Sequence, residues 1–376
     1  MKCSSFTEWG QLREVVVGRA ENYVTHHRDL SFDLFFADNV VTSRWAYPRS
    51  RSASEIPDER STVNLRFLAE LEEDIEGFVV ELEELGISVL RPMKLADSER
   101  DIETPAWSAP ATPALNVRDN SIVLGDVIVE TPPMIRSRAH ETQLLHSIFQ
   151  HYFDAGSRWL TMPRPIMTDG SFDRSYVDDF TIGGPIEPID DPTVSPYDMG
   201  FEMMFDGAQC IRLGEDVIVN IANQNHIMAV DWLERELGDR FTFHRVWRLS
   251  DSHIDSLLLP LRPGVFLVRD KGILERLPKA FQSWDCIVAP PPAPGNFPEY
   301  SRDDLVLTSE YIDLNVLSLS SDVVMVNSGS PDLLRLLEAC GFTAVPVQHR
   351  HRRLFGGGLH CFTLDMVRDG GLESYR

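Results

Sequence analysis

Cys361 follows three consecutive glycines in Leu354-Phe355-Gly356-Gly357-Gly358-Leu359-His360-Cys361 and opens an apolar run. Glycines let a backbone take positive φ or pass close against a ligand. Taken alone, the stretch reads more simply as a turn before a buried strand cysteine, since most lone cysteines are inert core residues. His253 and Asp255 lie two residues apart in Ser250-Asp251-Ser252-His253-Ile254-Asp255. On a strand that spacing points both side chains to one side. Asp206, in Phe205-Asp206-Gly207-Ala208, and Asp119, in Val117-Arg118-Asp119-Asn120, are acids at the edges of apolar runs. Each has a commonplace reading by itself, as a strand-end ion pair or a solvated edge. Jointly they supply a thiol nucleophile, an imidazole base, a carboxylate to orient it, and further carboxylates to hold a cation. That set suits attack on the carbon of a guanidinium.

The elements that must position these groups alternate between α and β. Apolar, β-branched runs predict strands at residues 14–17, 87–90, 122–129, 216–221, 254–259, 264–268, 286–289, 316–319 and 323–326. Helical spacing predicts helices over 63–85, 141–152, 227–237, 273–281 and 331–340, with Gly86, Gly238 and Gly341 as C-terminal caps. In the second half a pair of strands precedes each helix and another strand follows it. This ββαβ rhythm points to about five small units stacked in one α/β body, although the units share no visible sequence. Residues 36–57 and 168–197 read as long loops of the kind that cover sites. Neither resembles an interdomain linker, so residues 1–376 read as a single domain.

Aspartate and glutamate number 58 against 35 lysines and arginines, a formal charge of -23. Nucleic acid is a poor partner for such a chain, because affinity for it rests on cations that neutralise phosphates. Charged residues interrupt the first thirty positions and no stretch is apolar enough to span a bilayer, so the chain reads as cytoplasmic, without a membrane partner. The five cysteines are scattered and lack CxxC spacing, which indicates neither a disulfide framework nor a zinc site. A homodimer is left open.

The sequence resembles the amidinotransferase family, which includes glycine amidinotransferase and enzymes that transfer an amidino group to aminocyclitols or toxin precursors. The resemblance runs from Glu8-Trp9-Gly10-Gln11-Leu12-Arg13-Glu14 through Arg118-Asp119 and Gly125-Asp126-Val127-Ile128-Val129-Glu130-Thr131-Pro132. It continues to Gly356-Gly357-Gly358-Leu359-His360-Cys361 and Leu372-Glu373-Ser374-Tyr375, nearly the whole chain. It implies a five-bladed α/β propeller, the pentein fold, of ββαβ units with pseudo-fivefold symmetry. It also implies Cys361 as nucleophile, His253 as general acid/base and Asp206 as the partner of that histidine. Asp119 and Asp255 would bind the guanidinium, and Ser309 would contact substrate. The small-molecule partners implied are L-arginine and an amine acceptor, joined in a ping-pong exchange through an amidino-cysteine that releases L-ornithine. No metal or organic cofactor is required.

An unperturbed thiol, with a pKa of about 8.5, is only a few per cent ionised at neutral pH. The His253 imidazolium and the bound guanidinium are the expected sources of activation. Many relatives carry an Asn-Pro-x-Arg element whose arginine binds the donor carboxylate, and here Val268-Arg269-Asp270-Lys271-Gly272 stands in its place. Arg269 or Lys271 would take that role. Ser250 and Ser252 are smaller than the residues of glycine-specific relatives, which implies a roomier acceptor pocket for lysine, an aminocyclitol or a natural-product or toxin precursor. A guanidine-modifying hydrolase of the same fold, such as arginine deiminase, would use the same thiol and imidazole but let water attack. A binding-only propeller would leave these groups unfilled, and here each is present.

Overall fold

The structure, a computed structural model, describes residues 1–24, 29–35, 63–95, 101–175, 181–186, 199–250, 253–293, 295–300 and 306–376. The strands are β1 (Leu12–Val17), β2 (Ser88–Leu90), β3 (Asp101–Glu103), β4 (Ser108–Pro110), β5 (Ser121–Leu124), β6 (Val127–Glu130), β7 (Arg158–Thr161), β8 (Cys210–Leu213) and β9 (Asp216–Ile221). They continue with β10 (Thr242–Trp247), β11 (Leu258–Arg262), β12 (Val265–Val268), β13 (Asp285–Val288), β14 (Leu317–Ser318), β15 (Val323–Asn327), β16 (Thr343–Val347) and β17 (Thr363–Arg368). The helices are α1 (Leu30–Phe35), α2 (Leu65–Glu84), α3 (His146–Asp154), α4 (Gln224–Leu237) and α5 (Pro331–Ala339).

Apart from the β3-β4 hairpin, these strands form five three-stranded sheets of one topology: β17-β1-β2, β5-β6-β7, β8-β9-β10, β11-β12-β13 and β14-β15-β16. In each, the first strand runs antiparallel to the second, and the third returns parallel to the second after a crossover. This is the five-bladed α/β propeller that the rhythm and the resemblance lead one to expect. The ring closes on itself because β17 supplies the first strand of the blade that β1 and β2 complete. An N-terminal segment ties three blades together: Ser4 bridges to Val367, Ser5 to Gly125 and Thr7 to Leu213.

Strands β5, β6, β8, β9 and β17 are buried at every position. With both faces covered they need no polar alternation, which is why runs such as Val217-Ile218-Val219 are continuous. Helix α2 buries Phe67, Leu71, Ile75, Phe78 and Leu82, spaced to share one face. Full burial of each such side chain stabilises the fold by about 1.5–3 kcal/mol. At its start the Asn64 side chain accepts the Arg66 N–H at 3.0 Å.

Several expectations are corrected. The helix over 273–281 is two 3-10 turns, Lys271–Arg276 and Lys279–Phe281, because Pro278 lacks an N–H and forces Leu277 to extended backbone. The strand over 254–259 begins as a 3-10 turn, Ile254–Ser256, and becomes β11 only at Leu258. The run 122–129 is a hairpin, split at Gly125 with φ 60°. Gly86 and Gly341 take the positive φ expected of caps, whereas Gly238 has φ -68°, and what excludes a side chain there is the Glu234 carbonyl, 2.3 Å from where a Cβ would lie. Residues 36–57 lie outside the described residues. Of 168–197, residues 168–175 and 181–186 are described, opening with a 3-10 turn at Asp169–Ser171.

Candidate active site

Each blade contributes the segment that leads into its first strand. Asp119 precedes β5, Asp206 precedes β8, His253 and Asp255 precede β11, Ser309 and Asn315 precede β14, and Cys361 precedes β17. Small residues and one amide bring these segments together. A Cβ at Gly207 would lie 2.5 Å from the Arg118 carbonyl, and the Gly207 N–H donates to the Asp119 carbonyl at 2.6 Å. Only glycine lets Asp206 pass so close to Asp119. Gly357 and Gly358 are equally constrained, by Asn116 Oδ1 at 2.1 Å and Asn315 Cβ at 2.6 Å. Asn315 accepts the Cys361 N–H at 2.9 Å and donates to the Asp255 carbonyl at 3.3 Å, clamping two of the five segments.

Cys361 Sγ lies 3.5 Å from Asp255 Oδ2. One donor atom each from Asp119, His253 and Cys361 falls within 4.8 Å of the others. His253 Nε2 bonds Asp206 Oδ2 at 2.9 Å, which leaves Nδ1 on the side of Asp119, 3.5 Å from its Oδ1. Arg138 Nη1 donates to Asp119 Oδ2 at 2.7 Å, and His360 Nδ1 meets Asp255 Oδ2 at 2.7 Å. The second oxygens, Asp119 Oδ1 and Asp255 Oδ1, are buried with no hydrogen-bond partner among the described residues. Two such buried oxygens are costly to leave unmet, and a planar cation between them would satisfy both.

Burial opposes the charge of His253, but the carboxylates of Asp119, Asp206 and Asp255 outweigh it and lift the imidazole to about 9. Burial also opposes ionisation of Asp206 and Asp255, yet His253 holds the first below the usual carboxylate range and His360 the second. For Asp119 burial wins and the carboxyl rises. The Cys361 thiol is pushed well above its ordinary value by burial and by the facing carboxylates of Asp255 and Asp119. The same carboxylates thus raise the imidazole and oppose ionisation of the thiol, so that below about 9 the pair rests as thiol and imidazolium.

His253 and Asp255 face one pocket as expected, but from a 3-10 turn rather than a strand. Ser309 and Arg269 line that pocket too, with Tyr311 and Thr308. The Ser309 hydroxyl accepts the Tyr311 N–H at 3.1 Å, and the Arg269 guanidinium lies 3.9 Å from the centre of the Tyr311 ring. Lys271 is exposed and does not line it. Ser252 lies outside the described residues. Ser250 is buried, its backbone tied to the side chain of Asn220, and lines neither of the pockets that meet at His253, so it gives no evidence of a roomier site.

Sequence reasoning missed His360, Arg138, Asn315 and Glu8. Glu8 Oε2 meets His360 Nε2 at 3.3 Å and also accepts from Arg212 Nη2 at 2.6 Å, so the N-terminal segment backs the thiol's neighbour. The proximity of His360 to Cys361 was a usable signal; nothing local marked Arg138. The trio Asp119, His253 and Cys361 has the mixed O, N and S donors that a zinc-like ion accepts, so the same groups could hold a metal. No described helix is long and apolar enough to cross a membrane.

No protein-family model matches the chain. A putative inosamine-phosphate amidinotransferase of Streptomyces griseus is 32% identical over 98% of this chain and 97% of its own length. The L-arginine:L-lysine amidinotransferase of Pseudomonas savastanoi pv. phaseolicola is 31% identical over 99% and 96%. Among solved structures, the inosamine-phosphate amidinotransferase of Streptomyces griseus superposes with a TM-score of 0.81 at 31% identity, over 99% of both chains. DDAH from Pseudomonas aeruginosa, at 12% identity and a TM-score of 0.53 over 94% of this chain and 99% of its own, shares the fold alone. With a thiol, an imidazole and paired carboxylates gathered from four of the five blades, and such likeness along its whole length, this chain belongs to the amidinotransferase family and is a transferase.

Proposed function

We propose that the chain, acting as one domain, moves the amidino group of L-arginine to an amine through a covalent amidino-Cys361 intermediate and releases L-ornithine. The observation that supports this most directly is the pair of carboxylates beside the thiol, Asp119 and Asp255, whose Oδ1 atoms have no hydrogen-bond partner among the described residues. A guanidinium bound between them neutralises the charges that hold the thiol protonated, and the thiol yields its proton to solvent. The thiolate then adds to the guanidinium carbon. His253 Nδ1, protonated, gives its proton to the departing nitrogen as the C–N bond breaks, leaving ornithine as a neutral amine and a cationic amidino group on sulfur. An acceptor amine adds to that carbon, its proton passes to Nδ1, and the C–S electron pair returns to Cys361. Asp206 holds the imidazole by Nε2 throughout. Arg269 and Ser309 are assigned to the amino-acid end of arginine, and an acceptor larger than glycine in a natural-product or toxin pathway is the reading favoured.

The test is to mix the protein with arginine and a panel of amines. Ornithine together with a new guanidino compound supports transfer. Citrulline and ammonia, or urea with ornithine, would show water entering in place of the amine, as in the hydrolases of this fold.

A further inference from the structure

Sulfur, nitrogen and oxygen donors converge at the reaction centre from three different blades. Cys361, His253 and Asp119, all buried, offer one atom each, and the three atoms lie within 4.8 Å of one another. Among the described residues no other group of three such donors comes this close. His253 Nδ1 and Asp119 Oδ1 stand 3.5 Å apart. Ligands of a tetrahedral zinc ion are spaced roughly 3.3–3.6 Å from one another, so this pair already spans one edge of such a tetrahedron. A shift of the sulfur by roughly 1 Å completes a face.

The contacts behind these donors are the ones that metal ligands need. His253 gives Nε2 to Asp206 Oδ2 at 2.9 Å and keeps Nδ1 for a cation. A carboxylate on the far nitrogen is the arrangement that orients metal-binding histidines and raises their basicity. Arg138 fixes Asp119 through Oδ2 at 2.7 Å, while the buried Oδ1 has no hydrogen-bond partner among the described residues. Asp255 Oδ2, 3.5 Å from Cys361 Sγ, adds a further negative charge beside the sulfur. Thiolate and imidazole together select zinc or cobalt over magnesium and calcium, which prefer oxygen alone.

We propose that the site takes a thiophilic divalent cation, zinc above all, on Cys361 Sγ, His253 Nδ1 and Asp119 Oδ1, and that this metal excludes arginine. The metal replaces the thiol proton and the Nδ1 proton, both of which leave to solvent, and water fills the fourth position. A guanidinium needs the same Asp119 oxygen and the same sulfur, so metal and donor are mutually exclusive and the metal acts as a brake on transfer. The metal site rests on the donor geometry; the exclusion of arginine rests in addition on the reading of Cys361 as amidino carrier.

The experiment titrates cobalt, a spectroscopic stand-in for zinc, into the intact protein. A single equivalent should bring a thiolate-to-cobalt charge-transfer band in the near ultraviolet, and zinc should displace it. The band should be missing from Cys361→Ala. Cobalt affinity should fall by ~10- to 100-fold in Asp206→Asn, which releases the far nitrogen of the imidazole, and by at least as much in His253→Asn. With free metal set by a chelating buffer, zinc should inhibit ornithine release competitively against arginine, and excess chelator should restore it. No band, a band that survives in Cys361→Ala, or unchanged cobalt affinity in His253→Asn would overturn the site, and zinc inhibition noncompetitive with arginine would overturn the exclusion. Protein first charged with arginine and freed of ornithine should bind no cobalt, since its sulfur is capped. A full band from the charged protein, with the variants behaving as expected, would leave the metal site standing and remove the amidino-cysteine instead.

Discussion

His360 Nδ1 lies 2.7 Å from Asp255 Oδ2, so the residue immediately before the thiol holds the carboxylate that faces it. With Oδ2 engaged, Oδ1 keeps one direction, and that direction is what a guanidinium would read. Replacing His360 by Leu should therefore act on arginine rather than on the thiol. Loss of one charge-assisted bond is worth about 1.5–3 kcal/mol, a drop of roughly 10- to 100-fold in kcat/KM. His360→Asn should recover part of it. Steady-state kinetics on both variants decide the matter, and unchanged arginine kinetics in His360→Leu would remove His360 from the site.

Cys361→Ala should fold, since Asn315 holds the backbone N–H of residue 361 and not its sulfur. It should give neither ornithine nor a mass increase of one amidino group. Cys3 and Cys210 are buried thiols whose ionisation burial opposes, and neither lines the pockets. Conservative replacement at either should leave the burst in place. A full burst from Cys361→Ala would end the covalent reading.

Asp206 touches the imidazole, whereas Asp119 and Asp255 each present an oxygen with no hydrogen-bond partner among the described residues. Asp206→Asn should lower kcat more than it raises the KM for arginine. Asp119→Asn and Asp255→Asn should weaken arginine binding as well, by about 1.5–3 kcal/mol each. Three identical kinetic signatures would refute this division.

The pH profile follows from which proton must leave. Below the His253 value of about 9 the resting pair is thiol and imidazolium, and the reactive form lacks one proton. The kcat/KM for arginine should thus rise tenfold per pH unit up to about 9 and level off there, because the reactive pair and the neutral pair carry equal numbers of protons. At low pH, protonation of Asp119 steepens the fall. Asp206→Asn removes a carboxylate that raises His253, so its break should move to lower pH. A wild-type profile that is flat between pH ~7 and ~9 would contradict the thiol-imidazolium resting state.

Burial of Arg138 ties Asp119 and Glu141 together. Arg138→Met takes the buried cation from both acids, leaving Asp119 to His253 and Glu141 to the neutral donors Thr112 and Asn120, at a cost of about 3–5 kcal/mol. Thermal unfolding should show a clear fall in Tm. Stability equal to that of the parent chain would mean that water or another cation reaches the acids.

The strand Asp216–Ile221 is legible to the residue because Val217-Ile218-Val219 run unbroken. The strands β8 and β10 were not expected, because each carries an arginine. In β8 the buried Arg212 is satisfied by Glu8 and Asp365, and in β10 Arg245 by Asp231 and Glu234, pairings that no local pattern reveals. The site divides in the same way. Cys361, His253, Asp206, Asp119 and Asp255 stand in marked motifs, and the structure brings all five together. Arg138 is legible only through its contacts, and the state of the thiol only through the two acids beside it, which meet it from other blades.

The pairing of β1 with β17 has a consequence for synthesis. On the ribosome, the four acid and base groups of the site emerge well before Cys361, and β1 waits with its Val15-Val16-Val17 edge open until the strand after Cys361 is made. Long-range pairing of this kind is the slow step of folding and leaves an unpaired edge for chaperones or other chains to bind. Because the nucleophile and the strand that seals the ring lie two residues apart, a nascent chain acquires its chemistry and its closure together, and an unfinished one can hold no amidino group.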